Sequence, residues 1–136
     1  MPRLMPKDIV KDVADILFKA SPGKGTEPGF LTAYQILSKL KPAIKNTLIQ
    51  QRGRSGKGSG HQFAAASVVA MAVQLLNKAY PNKYIIEYLD TSGIKITSSN
   101  GKTIVPSFSL CGIYRAKVNN IKPYSTLSHA KPYYNR

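Results

Sequence analysis

The chain holds no tryptophan, one cysteine, two histidines and six acidic residues among 136. Each scarcity closes off a class of protein. The lone Cys111 excludes an intramolecular disulfide framework and suits a reducing, cytoplasmic compartment. So few histidine and cysteine ligands leave a zinc site unexpected, and Asp8, Asp12 and Asp15 read as a solvated helix face because they lack the loop and glycine pattern of a calcium site. No cofactor is called for. Paired carboxylates for acid–base work are confined to Glu87 and Asp90, whose strand-end spacing is ordinary. An enzyme is therefore not expected, and the least strained catalytic form is a metal-independent nuclease using His61 with loop arginines. The apolar stretch from residue 63 to 76 is shorter than a bilayer span and contains Ser67 and Gln74, so it reads as a core helix rather than a membrane segment. The first residues carry charge where a signal peptide needs an apolar run, so secretion is not indicated.

The scarcity of acids has the larger consequence. Twenty lysines and arginines against those six acids leave a formal charge of +14 and a pI near 10.0. Solubility alone does not require so much, and an acidic partner is the natural inference. The imbalance is also local. From Pro28 to Ile86 there is no carboxylate, and from Thr91 to Arg136 there are seven basic residues and again no acid.

What is present suffices for one α+β domain. The length supports a single core without staples, and 43% hydrophobic residues is an ordinary globular content. Residues 1–118 are expected to form this basic domain, with 1–29 as an N-terminal helix and Gly/Pro connector. Residues 119–136 form a basic tail containing Tyr124, Tyr133 and Tyr134. Ile9, Val10, Val13, Ile16 and Leu17 recur at helical spacing from Pro6 to about Ala20. Thr32 and Gln35 form a capping box, with Leu31 and Ile36 in the staple positions. Pro42 divides the following run into helices over residues 32–40 and 42–51. Ser59 and Gln62 repeat the box spacing before a helix that is apolar on nearly every side, as a central helix would be. Residues 84–89, 94–97, 102–105 and 107–114 then read as strands of a three- to four-stranded antiparallel meander, with turns at 90–93 and at Asn100 and Gly101.

The sharpest functional feature is the stretch Arg52, Gly53, Arg54, Ser55, Gly56, Lys57, Gly58, Ser59 and Gly60, which opens directly into that apolar helix at His61. Glycines allow successive backbone N–H groups to face one point, a helix start adds unsatisfied donors, and three basic side chains add charge. A phosphate is the fitting ligand. The glycine–lysine spacing is not that of a nucleotide-hydrolysing P-loop, and no acidic residue nearby suggests a magnesium partner. Lys41 and Lys45, four apart, extend the basic surface.

In element order the helices beginning at residues 32, 42 and 59, followed by a hairpin over 94–105, resemble a winged-helix DNA-binding domain. The resemblance implies Lys95 and Lys102 on a wing facing phosphate. The expected function is thus non-catalytic nucleic-acid binding through the phosphate backbone, DNA ahead of RNA. The rival is a protein-interaction module docking an acidic protein, with an exposed strand of the meander as one route. Spare apolar surface on a domain of this size also leaves room for a homodimer.

Overall fold

Pro6 at the first helical position and Asp8 two residues later start the first helix, α1 (Pro6–Phe18). The Asp8 carboxylate accepts the Met5 N–H at 2.8 Å, satisfying a donor at the helix entrance. The structure, a computed structural model, describes residues 2–20, 28–52, 60–93, 95–97, 103–104 and 110–117. The expected connector turns, the Ser59–Gln62 box, the Asn100–Gly101 turn and the C-terminal tail lie outside the described residues or side chains.

After α1 come a short strand β1 (Leu31–Thr32), α2 (Ala33–Lys39), α3 (Pro42–Gln51) and α4 (Gly60–Ala79). The capping box at α2 is formed as its spacing predicts: the Gln35 N–H donates to Thr32 Oγ1 at 3.1 Å and the Thr32 N–H to Gln35 Oε1 at 2.8 Å. Leu31 and Ile36, the staple residues, are both buried. The chain leaves α4 through a turn in which Lys83 N–H donates to Tyr80 O at 3.2 Å, and Asn82 takes a φ of 70°. Asparagine tolerates this left-handed conformation better than most residues.

The later strands are β2 (Tyr84–Asp90), β3 (Ile96–Thr97), β4 (Thr103–Ile104) and β5 (Leu110–Ala116). The fold is α+β, with an antiparallel three-stranded sheet. Its order, β1-β5-β2, is not that of a sequential meander. β2 runs antiparallel to β5 from Tyr84↔Ala116 to Asp90↔Leu110, and the β3–β4 ladder forms separately between them in sequence. Seven residue pairs can be matched along β2 and β5, whereas β3 and β4 each supply two residues. β1 adds to the other side of β5 through Leu31↔Tyr114 and Thr32↔Ile113.

Strand alternation places Tyr84, Ile86, Tyr88, Gly112, Tyr114, Ala116 and Leu31 on one face. The Phe18 and Tyr84 rings, 6.1 Å apart, join that face to α1. One continuous core runs through α1, α2, α4 and the sheet, with Ile9, Val13, Leu17, Ile36, Val69 and Val73 fully buried. α4 packs on α1, α2 and α3 and is the central helix of the expectation. It is not enclosed all round, because Met71 and Leu75, one turn apart, remain 55% and 42% exposed.

Candidate functional site

Arg52 is the first residue of the basic stretch, and the structure gives it a structural task. It caps α3, its N–H donating to Leu48 O at 2.9 Å. Its Nη2 donates to Leu4 O at 2.6 Å. Beside it, Gln51 Oε1 accepts the Leu4 N–H at 2.7 Å and Gln51 Nε2 donates to Pro2 O at 2.9 Å. Residues 2–5 are thereby strapped across the end of α3. Arg52 Nε is hidden from solvent and has no hydrogen-bond partner among the described residues. Burial lowers the Arg52 pKa, and the nearby Arg3 charge lowers it further.

Arg54, Gly56, Lys57, Gly58 and Ser59 lie outside the described residues. Gly60 begins α4 and His61 lies in its first turn. The helix start therefore falls directly after the basic stretch, as the sequence predicts. Of the supporting lysines, Lys41 is exposed at the N-cap of α3, and its carbonyl accepts the Lys45 N–H at 2.9 Å. The pair thus sits one helical turn apart. Lys95 is exposed just before β3, and Lys102 lies outside the described residues.

Lys41 also borders a cleft of about 360 Å³ that the sequence did not suggest. Asp12, Asp15 and Lys19 line it from the end of α1, and Lys39 and Lys41 from the junction of α2 and α3. The aspartates of the presumed solvated face therefore sit opposite lysines counted toward phosphate binding. Such mixed charge makes Lys41 a weaker phosphate ligand than a lysine in a carboxylate-free setting.

Cys111 is buried in β5, where desolvation raises its thiol pKa and disfavours the thiolate. Tyr34 and Tyr114 are both pushed up to about 12, first by burial and then by the neighbouring Cys111. Among the described residues, no group of three His, Cys, Asp or Glu side chains is placed to hold a metal ion. No helix among them is long and apolar enough to cross a membrane.

Two features of this surface left no sequence signal. Arg3 reaches the Arg52 region only through the strap, and Phe30 lies under Arg115 with the guanidinium carbon 5.1 Å from the ring centroid. No family model, curated protein or solved structure matches the chain.

Proposed function

We propose that this chain is a non-catalytic nucleic-acid-binding protein that contacts the phosphate backbone, duplex DNA ahead of RNA. The observation that carries the reading is the distribution of charge. A net +14 is concentrated in stretches with no carboxylate, and one of these runs through the basic glycine-rich segment into the start of a 20-residue helix. Phosphate contacts by Arg54 and Lys57, together with backbone donors before α4, are sequence-independent, and counterion release makes them salt-sensitive.

The test is fluorescence anisotropy with duplex DNA, single-stranded DNA and RNA over a range of salt. Affinity for duplex DNA should fall with a log–log slope of about −0.9 per phosphate contacted. An Arg54→Ala/Lys57→Ala variant should bind more weakly and with a shallower slope. Salt-independent binding by the unaltered protein overturns the reading. Labelled nucleic acid incubated with the protein without metal should stay intact, and cleavage abolished by His61→Ala would establish the nuclease instead.

One observation favours a second reading, a protein-docking module. β2 is an edge strand of the described sheet, and its second half is exposed, with Tyr88 65% and Leu89 39% accessible. An uncovered edge can accept an added strand. This edge carries Glu87 and Asp90, so an acidic partner would meet the basic surface elsewhere, while the edge suits a neutral or basic extended segment. Tyr88→Lys should abolish any self-association measured by sedimentation if a second copy pairs there.

A further inference from the structure

Arg3 and Arg52 bring two guanidinium groups together at the end of α3, and the surrounding bonds hold them there. The peptide groups on either side of Arg3 are clamped, because Gln51 bonds both Pro2 O and the Leu4 N–H. The Arg3 side chain itself is exposed. Arg52 is tethered through one nitrogen to Leu4 O, which uses one of the five N–H donors of a guanidinium.

A structural clamp accounts for the Gln51 and Leu4 bonds. It does not account for placing a second cation against the first. Like charges at short range are unfavourable, and the effect is visible in the lowered Arg52 pKa, to which Arg3 contributes and no carboxylate does. The described acids lie in α1 and in β2. A rigid guanidinium beside a mobile one, with donors to spare and no anion of the protein's own, is an arrangement that a tetrahedral oxyanion completes.

We propose that Arg3 and Arg52 form a phosphate-binding pair, set by the strap of residues 2–5, whose ligand is a phosphodiester of the nucleic-acid backbone. The identity of that ligand rests on the nucleic-acid reading, whereas the anion site itself does not. Arg3 becomes a binding residue, and Gln51 a positioning residue that fixes the backbone on both sides of it.

Arginine Nε–H resonances of the full chain, followed by NMR during titration with inorganic phosphate and separately with a short mixed-sequence oligonucleotide, test the proposal. The oligonucleotide should shift both the Arg3 and Arg52 signals saturably. Arg3→Ala should weaken oligonucleotide binding about tenfold, the scale of one charge-assisted hydrogen-bonding group. It should also reduce the salt slope on duplex DNA by about 0.9, one phosphate's share. Arg3→Lys should restore the slope and only part of the affinity, because lysine keeps the charge without the planar fork. Gln51→Ala should lower affinity while leaving both guanidinium groups in place.

If the protein binds the oligonucleotide while both signals stay still and Arg3→Ala changes nothing, the pair is overturned and the nucleic-acid reading stands. Shifts with inorganic phosphate but none with the oligonucleotide support the anion site and overturn the nucleic-acid reading. No response to either probe overturns both.

Discussion

A Cβ added at Gly112 would run into the Tyr114 hydroxyl and come within 2.8 Å of its Cζ, so the absent side chain lets the tyrosine lie over the strand. Gly112→Ala should cost about 1–3 kcal/mol in chemical denaturation, the usual range for overpacking. The cost should shrink in a Tyr114→Phe background, where the nearest atom is gone. Thr32→Ala removes one arm of a formed capping box and should cost about 1 kcal/mol by the same measurement. Tyr34 and Tyr114 supply a pH dependence. Their pKa values are raised from 10.0 to about 12 in the folded chain, so the folded state binds more protons between those limits. Stability is then fully present below pH 10.0 and declines as pH rises toward about 12. Denaturation midpoints across that window should fall, and the fall should be smaller in Tyr34→Phe. The Thr32 box was legible because its partners are three residues apart, whereas the role of Gly112 depends on a neighbour's ring.

At the scale of elements, α3 is the least anchored of the longer helices. Leu48 is its one buried side chain, with Ile44 and Ile49 partly covered. Leu48→Ala should cost about 2–5 kcal/mol, and hydrogen exchange should show α3 opening before α1 or α4. The apolar spacing made Leu37, Leu40, Ile44, Leu48 and Ile49 equal members of one face. Only the placement of α4 and of the N-terminal strap distinguishes Leu48 from its neighbours. α4 shows the same limit. Its alanine-rich, nearly all-apolar composition predicts a helix in contact with several others, as it is, but does not reveal that Met71 and Leu75 face outward. The strap is a further case: Leu4 and Arg52 are 48 positions apart, and no periodicity links them.

At the scale of the molecule, β5 organises the sheet. It lies between β1 and β2, and residue 31 pairs with residue 114. A chain ended at residue 105 keeps every helix and most of the apolar residues but loses the central strand. It should fail to fold cooperatively, seen as the absence of a sharp thermal transition by circular dichroism. An uncooperative melt follows because β1 and β2 would each retain unpaired backbone groups that β5 now satisfies.

Helix positions, the Thr32 cap, the break at Pro42, the turn at residues 90–93 and the uneven charge were determined by the sequence alone. These features act within a turn or two of helix, or in the charge simply by addition. Strand order, the existence of β1, the cleft that sets Asp12 and Asp15 against Lys39 and Lys41, and the pairing of Arg3 with Arg52 were decided only by the tertiary structure. Period-two alternation assigns a residue to a face of a sheet without naming the strand beside it, and a charged side chain carries no mark of the distant charge it will meet.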